Sequence, residues 1–379
     1  MNGGADMFAM TAKTLPGLEE VLAAELQALG ARDIQCGHLA VSFRGGEDIL
    51  YKANLCLRTA LRVLVPVKEF TADRTSGLYE AAFDFPWETY IGADDTFAVD
   101  AAVSSPAFTH GGFCALKVKD AVADYFSKKF GRRPAVNTEA PSLRINLFIH
   151  DTRCVLSLDA SGDSLHRRGY RLEKTEAPLS EVLAAGIILL TGWDASLALH
   201  DPMCGSGTFL TEAGMMAARI PPGALRKKFG FMGWKTYKPK LWDGIRREEL
   251  SHGREIPAAI TGADSDPKAV EIAAGNIRRA GLEQQISVTR AVFEDAPAPE
   301  GGPGYIIMNP PYGKRMHSEE LLALYARAGD TFKRKYTGWT AWMFSANLEA
   351  IKRIGLRPFC RVPLKNGPLE CRLLGFKLF

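Results

Sequence analysis

The sequence predicts an α/β protein in two parts: an α+β first part up to residue 160, then a doubly wound second part on a mostly parallel sheet. Three observations carry this. Before residue 160, helical spacings are interleaved with strand alternations, some of which follow one another directly, as antiparallel pairs do. From Glu181 onward strand and helix patterns alternate, which requires parallel strands joined by right-handed crossovers. Between the two, SLHRRGYRLEKTEAPLS (164–180) is polar, basic and contains Pro178, the texture of a connector.

The elements follow in order. FAMTAK (8–13) has a strand pattern, PGLEEVLAAELQALG (16–30) a helical spacing ended by glycine, and LAVSF (39–43) is a short strand. A helix is predicted through EDILYKANLCLRTALRVL, then strands at RVLVPVKEF and TFAVDAAVS. CALKVKDAVADYFSKKFG is a helix, and LRINLFIHD and RCVLSLDAS are strands. In the second part, helices are predicted at EVLAAGIILLTGW, FLTEAGMMAARI and PKAVEIAAGNIRRAG. Strands are predicted at LALHDPMCGSGT, AAITGADSD, ISVTRAV and YIIMNPP.

Composition excludes several classes. The 379 residues, 46% hydrophobic and 24% charged, are those of a globular chain rather than a disordered, collagenous or coiled-coil one. No apolar run reaches the ~18 residues of a membrane span, and the N-terminus lacks a basic n-region and an apolar h-region. A cytoplasmic protein is expected. Seven cysteines, none in a CxxC pair, argue against a disulfide framework or a zinc cluster. The net charge of +4 is uneven: Arg219 to Arg254 holds ten Lys/Arg against three Asp/Glu. The basicity is a patch.

Chemistry concentrates at three strand ends. Asp201-Pro-Met203-Cys204-Gly205-Ser206-Gly207-Thr208 lies between a strand and a helix, where glycines let the backbone turn tightly and approach a ligand. It lacks the Gly-Lys-Ser/Thr of a P-loop and the full GxGxxG, which disfavours a triphosphate or dinucleotide. The next strand ends at Asp264-Ser265-Asp266, and a carboxylate at that tip can accept both hydroxyls of a ribose. Asp266, followed by Pro267, suits a helix cap. Loop and acid together fit an adenosyl ligand. Asn309-Pro310-Pro311-Tyr312 follows a third strand. The exocyclic amine of a base is a poor nucleophile because its lone pair is delocalised. Accepting its protons on Asn309 Oδ1 and the Pro310 carbonyl localises that pair, while Tyr312 stacks on the base.

DPMCGSGT, GADSDP and NPPYG, in this order, resemble the motifs of class I S-adenosylmethionine-dependent methyltransferases of the amino-methylating type. LSLDASGDSLHRRGYR (156–171), APLSEVLAAGIILLTGW (177–193) and RKKFGFMGW (226–234) are similar to THUMP-domain RNA methyltransferases, closest to the RlmL type that methylates guanine N2 in 23S rRNA. The resemblance implies a ferredoxin-like region over 1–60, a THUMP RNA-binding domain over 61–160, a connector over 161–180 and a Rossmann-like methyltransferase domain over 181–379. By the same resemblance Pro178, Leu179 and Glu181 close over the methionine end of the cofactor. The family's acid for the adenine amine has no clear counterpart: Phe293 would face the adenine, with Glu294 or Asp295 at its amine. RlmL-type proteins are in some bacteria fused to a second methyltransferase, and here one reaction is expected.

Direct transfer from a sulfonium needs positioning and desolvation, so no metal is expected. The expected partner is RNA, 23S rRNA first and tRNA as the alternative, with a monomer favoured. In the basic stretch, Arg226, Lys227, Lys228 and Trp234 are candidate RNA contacts, by phosphate pairing and base stacking. The plainer alternative is a loop whose aromatics pack on the domain. Arg167, Arg168 and Arg171, and Lys314 and Arg315 after the third motif, complete the candidate set.

Overall fold

The computed structural model describes residues 7–171, 179–296, 298–299, 302–311 and 318–379. The chain divides into two compact units. One holds the chain up to Thr14, Ala23–Leu165 and Arg226–Arg247; the other holds Leu15–Leu22, His166–Leu225 and Glu248–Phe379.

The first part of the chain runs β1 (Phe8–Lys13), α1 (Glu19–Ala28), β2 (Arg32–Gly37), β3 (Ala40–Gly45), α2 (Glu47–Cys56), β4 (Arg62–Thr71), α3 (Thr75–Phe83), β5 (Thr96–Ser104), α4 (Gly111–Phe130), β6 (Ala135–Val136), β7 (Leu143–His150) and β8 (Arg153–Asp159). These strands form one mixed sheet in the order β2-β3-β1-β4-β8-β7-β5-β6. The ferredoxin-like and THUMP stretches therefore share a sheet, joined where β4 pairs with both β1 and β8. Helix α2 stops at Cys56, short of its apolar pattern. The half-buried Glu25 carboxylate accepts the N–H groups of Arg58 and Thr59, at 2.8 and 3.0 Å, and a third hydrogen bond from the Thr59 hydroxyl, pulling the chain out of helical register.

The second part runs α5 (Glu181–Thr191), β9 (Ala198–Asp201), α6 (Thr208–Ala217), α7 (Pro239–Ser251), β10 (Ile260–Asp264), α8 (Pro267–Arg279), β11 (Ile286–Arg290), β12 (Gly304–Met308), α9 (Ser318–Lys335), β13 (Thr340–Ser345), α10 (Leu348–Arg353), β14 (Cys360–Asn366) and β15 (Leu369–Lys377). Its sheet has the order β11-β10-β9-β12-β13-β15-β14. β9 to β13 are parallel, and the hairpin β14/β15 adds antiparallel strands beyond β13. Winding proceeds outward from β9 in both directions, so the strand order reverses beside it. The crevice past its carboxyl end is where such sheets take ligands. β10 and β12 flank β9 and deliver their own C-terminal loops to the same edge. The core beside β12 and β13 includes Phe293, Met308, Tyr325, Phe332, Tyr336 and Met343. Among the described residues, no helix is long and apolar enough to cross a membrane.

Candidate active site

The loop after β9 is laced to β10 by its backbone. Cys204 N–H donates to the Ala263 carbonyl at 2.9 Å, and Gly205 N–H donates to Asp264 Oδ2 at 2.9 Å. Its two glycines have different duties, both at positive φ (53° and 73°). A Cβ on Gly205 would meet open space, so the loop's outer surface is bare backbone there. A Cβ on Gly207 would lie 2.9 Å from Ala273 Cβ, so that glycine lets α6 start tight against α8. Asn276 Nδ2 donates to the Ser206 carbonyl at 2.8 Å and fixes the loop from beneath.

Asp201 does not present its carboxylate to the crevice. It is 1% exposed and accepts the Met203 N–H at 3.2 Å; burial, with the nearby charge of Asp264, pushes its carboxyl well above the usual range. It braces the turn. Cys204, Ser206 and Thr208 are buried too, and burial drives the Cys204 thiol up; Met203 and Gly205 are the partly exposed members. Asp264, at the tip of β10, is partly exposed, and each of its oxygens accepts one backbone N–H, from Gly205 and from Asp266 at 3.0 Å. A carboxylate has about four lone-pair sites, so one remains on each oxygen for a diol. Asp266 caps α8, accepting the Lys268 N–H at 2.9 Å with proline at the helix start, and Ser265 is exposed.

β12 delivers Asn309 and the two prolines to the same edge. Among the described residues, the Asn309 Oδ1 is buried with no hydrogen-bond partner. An orphaned acceptor at the carboxyl edge of a parallel sheet suits a donor arriving with a ligand. Pro178, Tyr312, Lys314 and Arg315 lie outside the described residues.

Several expectations need correction. Phe293 is 2% exposed, and its ring packs on Phe332 and Tyr336, with centroids 5.5 and 5.9 Å away, so it presents no face to an adenine. Of its neighbours, Glu294 accepts from Arg327 Nε at 2.6 Å and Asp295 is exposed. Arg168 is not an RNA contact: it is 2% exposed and its Nε lies 3.5 Å from Glu212 Oε1, which also accepts from Tyr170 OH at 2.9 Å. Arg171 turns inward, pairing with Glu181 at 3.5 Å and donating to the Leu179 carbonyl and the Thr208 hydroxyl. Glu181 is thereby a buried partner of Arg171, 4% exposed, and Leu179 is buried beside it. The stretch read as a connector is, over residues 166–171, an integral part of the second unit. Arg167 is exposed.

The basic stretch follows the plainer alternative for its aromatics. Trp234 is 7% exposed and meets Tyr90 edge on, while Phe229, Phe231 and Trp242 cluster around Tyr51 within the first unit. Glycines allow this packing: a Cβ on Gly233 would lie 2.2 Å from the Ser142 carbonyl. Arg226 is spent on the carbonyls of Ser161, Asp163 and Ser164, at 2.9 to 3.2 Å. Lys227 and Lys228 remain exposed.

A glycine loop, an acid at the neighbouring strand tip and an Asn-Pro-Pro turn share one edge of a doubly wound sheet, the layout of a methyltransferase domain. The chain belongs to the family described as RMKL-like methyltransferase domain, which matches residues 168–374. A THUMP domain matches 75–159 and an RlmL ferredoxin-like domain 9–64. Among similar proteins is "Ribosomal RNA large subunit methyltransferase K/L" of Syntrophotalea carbinolica, 42% identical over 96% of this chain and 52% of that protein. The chain spans about half the length of such K/L relatives. "Putative RNA methyltransferase slr0064" of Synechocystis is 38% identical over 99% of this chain and 100% of that one. A solved structure described as "Crystal structure of SMU.472, a putative methyltransferase complexed with SAH" is 30% identical, covers 98% of each chain and has a TM-score of 0.88.

Proposed function

We propose that this chain transfers a methyl group from S-adenosylmethionine to the exocyclic N2 amine of a guanine in 23S rRNA. The observation that carries the reading is the buried Asn309 Oδ1 at the carboxyl edge, an acceptor with no hydrogen-bond partner among the described residues. The residues present fit the cofactor: Asp264 keeps lone pairs for a ribose diol, and Gly205 bares its backbone to open space. When bound, S-adenosylmethionine supplies a methyl group already activated on a sulfonium. What the chain adds is position and dryness. Asn309 Oδ1 and the Pro310 carbonyl would take the two N–H groups of the target amine, which localises its lone pair and orients it for attack. Tyr312 stacks on the flipped base, and the loop from Met203 to Gly205 with Asp264 and Ser265 lines the adenosyl side. The THUMP match supports RNA rather than DNA, and the large-subunit names of the relatives support 23S rRNA.

The test is methyl incorporation from labelled cofactor into unmodified 23S rRNA, 16S rRNA and total tRNA, followed by nucleoside analysis. The expected product is N2-methylguanosine in 23S rRNA alone. Label in tRNA instead moves the substrate to tRNA, and label in none of the three, with bare RNA or with ribosomal particles, overturns the reading.

A further inference from the structure

Behind the Asn-Pro-Pro turn lies a chain of buried hydroxyls that cofactor and base binding do not require. Tyr325, on α9, is 0% exposed, and its ring belongs to the core beside β12 and β13. Core packing explains the ring but not the hydroxyl, since phenylalanine would fill the same space without a polar atom to satisfy. The same holds for Ser345 at the end of β13, also 0% exposed, after the buried run Ala341 to Phe344. The two hydroxyls meet at 2.7 Å, and Tyr325 OH lies 3.4 Å from the Pro311 carbonyl.

Asn347 N–H donates to Ser345 Oγ at 3.0 Å, and the Ser345 and Tyr325 hydroxyls share a hydrogen bond that either of them can donate. The Tyr325 hydroxyl also reaches the Pro311 carbonyl as a donor. Hydroxyls linked in this way polarise one another, which strengthens their links. At 3.4 Å the link to the Pro311 carbonyl is long for an O–H···O bond, and catalytic contacts commonly tighten only when the site is loaded. The position follows from register: β12 pairs Met308 with Met343, so continuing the parallel ladder brings Ser345 level with Pro310.

We infer that Tyr325 is a positioning residue for the Asn309-Pro310-Pro311 turn, its buried hydroxyl passing the hold of Ser345 to the Pro311 carbonyl. Proline fixes φ at residues 310 and 311, so the soft angles left in the turn are its ψ values. Anchoring the Pro311 carbonyl removes the last of them and so steadies the far end of the turn that carries Asn309 Oδ1 and the Pro310 carbonyl. The inference rests on the proposed amine chemistry for its effect on rate, but not for its effect on the turn itself.

Tyr325→Phe keeps the ring and removes the hydroxyl. It is expected to lower kcat about tenfold, the worth of one aligned hydrogen bond, with KM for RNA and the affinity for S-adenosylhomocysteine within about twofold of wild type. Ser345→Ala should do the same, and the double variant should be no worse than either single one, because all three break one chain. Hydrogen exchange at Met308 and Asn309, read without RNA or cofactor, should speed up in each variant. Unchanged exchange with an unchanged kcat overturns the inference. So does an equal loss of kcat and S-adenosylhomocysteine binding, which would mark general damage to the unit. A wild-type protein that methylates no RNA would sink the guanine reading, and the exchange result would still decide the brace.

Discussion

At the scale of single residues, the proposed function has Asp264 and Asn309 divide the work of the site in a way that substitutions can separate. Asp264 holds the Gly205 N–H and keeps acceptor capacity for a ribose. Asp264→Ala is therefore expected to weaken S-adenosylhomocysteine binding by about 10- to 100-fold in calorimetry. Asn309→Ala should leave that affinity nearly unchanged while cutting methyl transfer by orders of magnitude; a large loss of cofactor binding in Asn309→Ala would contradict its assigned role. A third residue sets an acid limit. His200, on β9, is 4% exposed, with Nδ1 2.8 Å from the Thr261 hydroxyl, and burial lowers its pKa to about 4. Between an unfolded value near 6.5 and that folded value the unfolded chain binds a proton that the native chain refuses, so stability falls as pH drops through this window and levels off below it. Urea denaturation should show a loss of about 3 kcal/mol between pH 7 and pH 4 from this group, absent in His200→Gln. An identical pH slope in both proteins would remove His200 as the cause.

At the scale of elements, the segment 166–171 is fastened into the second unit by buried ion pairs and hydrogen bonds rather than by apolar burial alone. Arg168, Tyr170 and Glu212 meet where all three are at most 2% exposed, and burial drives the Tyr170 hydroxyl well above its ordinary pKa. Removing one partner strands the other. Arg168→Ala leaves the Glu212 carboxylate buried without its nearest cation, and a loss of roughly 3–5 kcal/mol is expected in chemical denaturation. An unperturbed midpoint would show that Glu212 finds another partner. This cluster also marks where sequence reading stops. The strands ending in DPMCGSGT, GADSD and NPP announce themselves, because apolar runs meeting Gly, Asp, Asn and Pro have few other meanings. The basic HRRGYR reads as solvated because its partners, Glu212 on α6 and Glu181 on α5, are distant in sequence. The same distance hides Tyr325 and Ser345, which no local pattern connects to Pro311. β2, α3, β6, α7 and every element from β13 onward went without a prediction; β2 is only half apolar at best and mostly exposed, so its strand alternation is faint.

At the scale of the molecule, the charge asymmetry outlasts the correction to its aromatics. The stretch Arg226–Arg247 belongs to the first unit, the one that carries the THUMP match, and its rings are packed against that unit's own Tyr51 and Tyr90. Stacking on RNA bases is therefore not available to Trp234. What the stretch can offer is charge, and even that is partly committed: Arg226 to backbone carbonyls, Lys235 to the Glu88 carbonyl and Lys238 to Glu47. Lys227 and Lys228 are exposed and adjacent, and a pair of ammonium groups held on a packed turn suits consecutive phosphates. Each phosphate neutralised releases counterions, so log affinity falls with log salt by roughly 0.7 to 0.9 per contact. Reversing both charges in Lys227→Glu/Lys228→Glu should thus weaken RNA binding at low salt and flatten that slope by at least about 1.4, with cofactor affinity and melting temperature unchanged. Trp234→Ala should do the opposite, lowering the stability of the first unit by about 3 kcal/mol or more through the cavity it leaves, while the salt slope of the protein that remains folded stays as in wild type. An unchanged slope in the double lysine variant would take Lys227 and Lys228 out of RNA recognition and leave Arg167 as the exposed candidate among the described arginines first assigned to it.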